Sequence, residues 1–95
     1  MIRVIIDRMI AETMEANYED AALDVLQLAV KANGFISGES LKDIRNPRHR
    51  IVLCKWRSPA DWDRWCASEE RKSVMGKLNL MLETEEKISI LDLPE

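Results

Sequence analysis

The segment from residue 34 to residue 72 constrains the fold more than any other part of the chain. It begins with two strand-like runs joined by a turn and continues with two helix start signals. In the first signal, Ser58 can cap a helix, Pro59 suits the first helical position, and Asp61 can reach back to the cap. Ser68 followed by two acidic residues repeats the signal. The segment therefore predicts a β-hairpin, then a short helix and a longer one.

The rest of the chain supplies a helix between two strands and a last strand. An amphipathic pattern at residues 17–33 is typical of a surface helix that ends at Asn33 and Gly34, since both residue types tolerate the left-handed conformation. The resulting order is that of a ferredoxin-like β-α-β-β-α-β unit. We expect one α+β domain over residues 1–95, with helices on one face of an antiparallel sheet. The predicted strands span 2–10, 35–44, 49–57 and 87–93.

Two predicted strands carry apolar residues on both faces. In the first, Val4 and Ile6 alternate with a second, mixed face, and the strand at 49–57 is apolar on both sides. A sheet covered by helices on one side only leaves the other side as an exposed apolar patch, which pairing with a second copy removes. We therefore expect a homodimer. The residues assigned to the uncovered face are Ile5, Met9, Val52 and Trp56.

Composition excludes several classes of protein. With 46% hydrophobic and 33% charged residues, the chain is too apolar for disorder, and its apolar start is interrupted by Arg3, Asp7 and Arg8, which fits neither a signal peptide nor a membrane span. The net charge of −3, with acidic and basic residues interspersed, lacks the positive field of a nucleic-acid-binding protein. We expect a cytoplasmic protein without a nucleic-acid or membrane partner.

Few residues point to bound metals or nucleotides. Cys54 and Cys66 lack the spacing of a metal site or a redox pair, so we interpret both as reduced structural thiols. His49, the single histidine, follows a turn, and the simplest interpretation is a solvated surface group rather than a base or ligand. No glycine-rich phosphate loop follows a strand. The sequence predicts no cofactor.

Four motifs in this chain resemble those of the antibiotic biosynthesis monooxygenase family. In order, they are Gly34-Phe35-Ile36-Ser37-Gly38-Glu39, Trp56-Arg57-Ser58, the helical Trp62 and Trp65, and Ser68-Glu69-Glu70-Arg71-Lys72. The resemblance extends over nearly the whole chain, from Arg3 to about Leu93. It implies a dimeric α+β barrel, in which two sheets meet face to face and each subunit keeps a cavity between its sheet and helices.

The family's haem-degrading branch provides a test of function. Its working residues are an asparagine on the first strand, a tryptophan on the short helix and an iron-binding histidine ten positions later. By this resemblance Trp65 matches the tryptophan, but Asp7 stands in place of the asparagine and Met75 in place of the histidine. A methionine within an apolar helical series is more typical of packing than of haem ligation. Haem degradation is therefore disfavoured.

Asp7 is the candidate catalytic base. We expect a carboxylate on the inward face of a central strand to be partly desolvated, which favours a role as proton acceptor. The alternative is a salt bridge to Arg3, to Arg8 or to an arginine of a second copy. The charged run at 69–72 is most simply a solvated first helical turn, in which Arg71 bridges to a carboxylate across the dimer.

The tryptophans are the candidate walls of a pocket for a planar, polycyclic aromatic molecule. Packing of helix on sheet is the simpler role for at least two of the three, and the family resemblance selects Trp65 for the pocket. The other substrate-pocket candidates are Met75, Ile5 and Met9.

Two functions remain open from the sequence. The first is a cofactor-independent monooxygenase, or a related small-molecule enzyme, acting on an electron-rich aromatic such as a quinol, which itself reduces oxygen. The second is a non-catalytic or stress-related ligand-binding dimer of the same fold, because one fold hosts many functions.

Overall fold

The computed structural model describes residues 1–94 as four strands and three helices. Within this range, no helix is both long enough and apolar enough to cross a lipid bilayer. The predicted order of elements is confirmed, with the last helical region divided into two helices at Ser68. In chain order the elements are β1 (Ile2–Met9), α1 (Glu15–Ala29), β2 (Phe35–Lys42), β3 (His49–Trp56), α2 (Pro59–Ala67), α3 (Glu69–Asn79) and β4 (Lys87–Leu91).

The four strands form one antiparallel sheet in the order β2-β3-β1-β4. The central strand β1 pairs with β3 on one side and with β4 on the other, so that Val4 lies between Cys54 and Ile90. This confirms the predicted ferredoxin-like α+β fold. The edge strand β2 contains an irregularity between Phe35 and Ser37, where the register with β3 shifts.

The register decides which side chains of β3 share a face with those of β1. Trp56 lies opposite Ile2, and Val52 lies opposite Ile6, and residues directly opposite one another in antiparallel strands project to the same side. Ile2 and Ile6 are buried under the helices. The prediction that Val52 and Trp56 lie on the uncovered face was therefore wrong, because alternation within one strand does not reveal its alignment with the next.

The helix-covered side of the sheet forms two apolar clusters. One joins β1, β3 and α2 and contains the three tryptophans together with Val4 and Ile6. The other lies at the opposite end of β1, where Ile10, Tyr18, Met75 and Leu78 pack together. Burial of each large apolar side chain contributes about 1.5–3 kcal/mol to the hydrophobic stabilisation.

The helix starts predicted from the sequence are observed. The Ser58 hydroxyl accepts a hydrogen bond of 3.2 Å from the Asp61 backbone N–H, and Pro59 is the first residue of α2. The Ser68 hydroxyl accepts a bond of 3.2 Å from the Arg71 N–H at the start of α3. These bonds satisfy helix donors that otherwise lack a partner.

The first helix ends earlier than its amphipathic pattern suggests. It ends at Ala29 rather than at residue 33, because the backbone tightens there: the Lys31 N–H donates to the Leu28 carbonyl and the Ala32 N–H to the Ala29 carbonyl. Gly34 then adopts a φ of 88°, as the prediction of a left-handed turn requires.

Candidate functional site

A cavity of about 180 Å³ lies between the sheet and the helices. Residues of β1, β2, β3 and all three helices line it. An exposed leucine of α1, Leu23, and an exposed serine of β2, Ser40, are among the lining residues that also face solvent. The cavity is therefore enclosed by the sheet and helices and open to solvent along α1 and β2.

Four aromatic side chains form one wall of the cavity. The Trp56 ring is the centre of this group: it stacks on Trp65 at a centroid distance of 6.1 Å and meets Trp62 edge to face at 5.6 Å. Phe35 contacts the Trp56 ring edge to face at 5.4 Å. These geometries are the favoured ones for aromatic pairs, and they fix the wall before any ligand arrives. The tryptophans therefore both pack helix on sheet and line the cavity.

Asp61 holds the start of the helix that carries two of these tryptophans. Its carboxylate accepts two hydrogen bonds from Arg57, at 2.9 and 3.0 Å, one of 2.9 Å from the Ser58 hydroxyl and one of 2.8 Å from Arg64. These donors, Arg57 first among them, lower the pKa of Asp61 to about 2. The carboxylate stays ionised at neutral pH and anchors α2.

Two arginines, one buried and one largely buried, share one carboxylate at the cavity. Arg8 Nε donates to one oxygen of Glu86 at 2.8 Å, and Arg71 Nη2 donates to the other at 3.0 Å. The side chains are 3%, 11% and 12% exposed for Arg8, Arg71 and Glu86. Both arginines line the cavity. The cluster therefore carries one excess positive charge in a region largely shielded from water.

Neutral partners complete the surroundings of Arg8. Its Nη1 donates to the Tyr18 hydroxyl at 3.2 Å, and its Nη2 lies 3.9 Å from the Met75 sulfur. Burial acts to lower the pKa of Arg8, but Tyr18 and Glu86 outweigh burial, and the pKa is raised. Arg8 is therefore charged at every physiological pH.

Two donors at the cavity have no hydrogen-bond acceptor among residues 1–94. They are the indole N–H of Trp56 and the Nε–H of Arg71, both buried. Burial raises the pKa of the neighbouring Cys54 thiol, and the Trp56 indole N–H acts to lower it. The Cys54 sulfur nevertheless does not accept a hydrogen bond from the indole. A buried donor without an acceptor costs about 1–3 kcal/mol. An acceptor placed beside either donor would therefore remove this cost.

The two cysteines are free thiols. Burial raises the pKa of both Cys54 and Cys66, so each is protonated at neutral pH. The Cys54 thiol donates a long bond of 3.6 Å to the Val4 carbonyl. Neither thiol has the properties of an activated nucleophile.

Asp7 lies on the open face of the sheet, away from the cavity. Its carboxylate is 47% exposed and lies 3.1 Å from Nε2 of His49. The other ring nitrogen of His49 lies 2.9 Å from Asp43, and this hydrogen bond is the main reason that the pKa of His49 is raised. The partner of Asp7 is thus a histidine rather than Arg3 or Arg8. His49 is 28% exposed and paired with two carboxylates rather than solvated.

The other predicted pocket residues lie in three different environments. Trp65 lines the cavity. Met75 is 4% exposed in the second apolar cluster and reaches the cavity only through its contact with Arg8. Ile5 and Met9 alternate with the buried residues of β1 and lie on the open face beside Asp7. The sheet thus separates Ile5, Asp7 and Met9 from the cavity.

The arginines of the cavity were not predicted from the sequence. Arg8 belongs to the same alternating series as Val4 and Ile6, so a charged residue on the covered face of β1 was a signal present in the sequence. Arg71 was assigned to a bridge across a dimer, but it binds Glu86 of its own chain and lies 5.8 Å from the Trp62 ring centre. Glu86 precedes β4 and carries no sequence signal of its role.

Comparison with known proteins identifies the family. The family model described as antibiotic biosynthesis monooxygenase matches residues 1–77. The chain belongs to this family. Among curated proteins, none matches the sequence significantly. Membership of the antibiotic biosynthesis monooxygenase family supports a monooxygenase-type function.

Solved structures show the same fold at low sequence identity. A crystal structure of an antibiotic biosynthesis monooxygenase superposes with a TM-score of 0.91 at 16% identity and covers 100% of both chains. A conserved protein from Methanosarcina mazei Go1 gives 0.88 at 20% identity, over 94% of this chain and 88% of its own. SnoaB, a cofactor-independent oxygenase from Streptomyces nogalater, gives 0.86 at 11% identity, over 99% and 94%.

Proposed function

We propose that this protein is a cofactor-independent monooxygenase that oxidises an electron-rich aromatic molecule in the cavity between sheet and helices. The observation that carries the proposal is the aromatic wall formed by Phe35, Trp56, Trp62 and Trp65. A planar aromatic ligand can pack against the faces and edges of these rings. Family membership and the similarity to SnoaB, a cofactor-independent oxygenase, support the same reaction type.

The size of the cavity sets the size of the substrate. An engineered cavity of about 150 Å³ accommodates a benzene molecule. A cavity of about 180 Å³ that is open on one side therefore suits one or two fused rings. This is smaller than the polycyclic molecule expected from the tryptophans alone.

The reaction needs no cofactor because the substrate supplies the electrons. In a phenol such as 1-naphthol, the C–H opposite the hydroxyl and the O–H bond are broken, and four electrons pass to O2. One oxygen atom becomes the new carbonyl of 1,4-naphthoquinone, and the other leaves as water with the two hydrogens. The protein contributes orientation of the ring, exclusion of water and a positive charge that favours the ionised phenol.

The second candidate is a ligand-binding dimer without catalysis. The observation that favours it is the position of the two candidate proton-transfer groups: His49, the single histidine, and Asp7 lie on the open face of the sheet. The carboxylate nearest the arginines, Glu86, is held by both of them. In this case the cavity holds its ligand unchanged.

Oxygen uptake with 1-naphthol distinguishes the two candidates. We expect protein-dependent uptake that forms 1,4-naphthoquinone, with one atom of ¹⁸O₂ in the product detected by mass spectrometry. Trp65→Leu should lower the rate, because it removes a stacked ring from the wall. Leu78→Ala, a core truncation in the other cluster, controls for lost stability. If quinone forms no faster than in protein-free buffer, the monooxygenase is rejected and the ligand-binding dimer is the remaining candidate.

Asp7→Asn tests the candidate base separately. Loss of turnover in this variant would place proton transfer on the open face of the sheet, where the Asp7 carboxylate lies. Unchanged turnover would remove Asp7 from the mechanism. Asp43→Asn is the matched control, since it alters the other carboxylate bound to the same His49 ring.

The proposal includes a homodimer formed through the open face of the sheet. This face presents Ile5 and Met9 of β1 beside Ile51 and Leu53 of β3, with no helix over them. Pairing of two such faces buries apolar surface that water otherwise contacts. We therefore propose the open face as the dimer interface, which is the arrangement that the resemblance to dimeric α+β barrels implies.

A charge on the open face tests the homodimer. Leu53→Lys should give the mass of one chain in light scattering where the wild type gives the mass of two, because removal of a lysine from water costs more than an ion pair buried in an apolar interface returns. Glu39 lies opposite Leu53 on β2, so the lysine gains a neighbour in the separated subunit and the fold is kept. Leu80→Lys, at a side chain 84% exposed on the other side, is the control. A wild-type mass of one chain would contradict the dimer.

A further inference from the structure

The charge at the cavity is not balanced by the protein. Arg8 and Arg71 both bind Glu86, and among residues 1–94 neither forms an ion pair with any other carboxylate. The other buried arginine nearby, Arg50, has its own partner in Glu19. Burial of an uncompensated charge is costly, and the cost falls when an anion enters.

Two hydrogen-bond donors without an acceptor belong to the lining of the same cavity as the excess charge. The Nε–H of Arg71 and the indole N–H of Trp56 are buried and have no acceptor among the residues that the structure describes. Both belong to side chains that line the cavity, and the Trp56 side chain is 1% exposed. A water molecule can accept these bonds, but it cannot neutralise the charge.

The field of the arginines reaches the cavity lining. The charges of Arg8 and Arg71 both act on the Cys54 thiol, where they oppose the larger effect of burial on its pKa. Cys54 itself lines the cavity beside Trp56. An anionic group in the cavity therefore experiences both guanidinium groups at once.

We infer that the cavity takes an anionic aromatic molecule of one or two rings, whose carboxylate or ionised hydroxyl binds the Nε–H of Arg71 and the indole N–H of Trp56. The rings pack against the aromatic wall, and the anionic oxygen supplies the charge and the acceptors that the protein lacks. This inference rests on the cavity named in the proposed function, and it narrows the substrate class from electron-rich aromatics to aromatic acids and ionised phenols.

Two ligands of the same shape test the charge requirement. 2-Naphthoate and 2-naphthamide share two fused rings and differ in charge, and neither is oxidised, so calorimetry reports binding alone. We expect wild-type protein to bind 2-naphthoate at least about tenfold tighter, as a charge-assisted hydrogen bond to a buried arginine predicts. Equal affinities, or no binding of either compound at millimolar concentration, would overturn the inference.

The Arg71→Met variant tests whether Arg71 causes the preference for 2-naphthoate over 2-naphthamide. Methionine keeps an unbranched apolar chain and removes the charge and the Nε–H, so the ratio of the two affinities should fall to about one while 2-naphthamide binding persists. Lys72→Met is the matched control: it removes a charge from the next residue of the same helix, whose side chain is 62% exposed, and should keep the ratio. A full preference retained in Arg71→Met would overturn the assignment to Arg71.

The binding experiment tests the anionic site, and the oxidation experiment tests the monooxygenase, so either proposal can be rejected without the other. A preference for 2-naphthoate without quinone formation from 1-naphthol supports the anionic site and contradicts the monooxygenase. Quinone formation without a preference supports the monooxygenase and overturns the anionic site. If Arg71→Met does not fold, the wild-type comparison of the two ligands still decides the charge requirement.

Discussion

Replacement of a glycine by alanine should have opposite effects at two positions of this protein. Gly34 lies in the turn before β2, and Gly76 lies within α3. The chemical change is the same, and both substitutions restrict the unfolded chain equally, so their difference reports on the folded state alone.

Gly34→Ala should destabilise the fold. The φ of Gly34 is 88°, and a left-handed backbone costs a residue with a Cβ about 1–2 kcal/mol. The added Cβ also lies 2.4 Å from the Cβ and Cγ atoms of Asp61, a separation that the two groups cannot keep. Asp61 must then move, which disturbs the capped start of α2, worth about 1 kcal/mol. We expect a total loss of about 3 kcal/mol.

Gly76→Ala should stabilise the fold. No atom lies within 4 Å of the position that its Cβ takes, and the backbone there is helical. Alanine is favoured over glycine within a helix by about 1 kcal/mol. The two variants should therefore differ by about 4 kcal/mol in free energy of unfolding.

Urea unfolding measures both effects, and all variants are compared at one protein concentration because the stability of the proposed dimer depends on concentration. In thermal melts each kcal/mol corresponds to about 4–8 °C for a domain of this size. A Gly34→Ala midpoint within the error of the wild type would show that the turn and Asp61 adapt freely. A Gly76→Ala variant less stable than the wild type would show that the outer face of α3 is covered, contrary to its exposure here.

Two further predictions concern polar clusters. The raised pKa of His49, due first to Asp43, means that its contribution to stability is complete below its ordinary value of 6.5 and is lost as the pH rises through the folded value. His49→Gln should therefore cost stability at about pH 6 and less at about pH 9, and a loss that does not change with pH would contradict this. Tyr18→Phe removes the acceptor for Arg8 Nη1 and should cost about 1–3 kcal/mol in urea unfolding. A loss below about 0.5 kcal/mol would show that another acceptor replaces the hydroxyl.

The elements of the fold could be predicted from local sequence because their causes are local. Ser58 and Ser68 each bond a backbone N–H three residues later, and Gly34 adopts the one conformation that favours glycine. Such signals depend only on neighbouring residues along the chain, so they can be recognised in a single sequence. The end of α1 was misplaced because tight turns at its last residues replaced helical bonds without changing the apolar pattern.

The candidate site could be predicted only in part. Trp65, selected for the pocket by its position in a motif, lines the cavity, and so do Trp56 and Trp62, for which packing alone was the simpler role. Asp7 was chosen as a carboxylate on an inward strand face, but the face that is inward for Asp7 is the open one. Which face the helices cover depends on how the whole chain packs.

Patterns along the chain are sufficient to predict the order of strands and helices, the starts of two helices and the two apolar faces of the sheet. The tertiary structure decided that Arg8, Arg71 and Glu86 meet at the cavity and that Asp7 and His49 meet on the other side. The residues of the arginine cluster are separated by more than sixty positions between Arg8 and Arg71, and their meeting follows from sheet register and helix packing. Periodicity indicates which residues of one element share a face, whereas the packing of the whole chain determines what that face contacts.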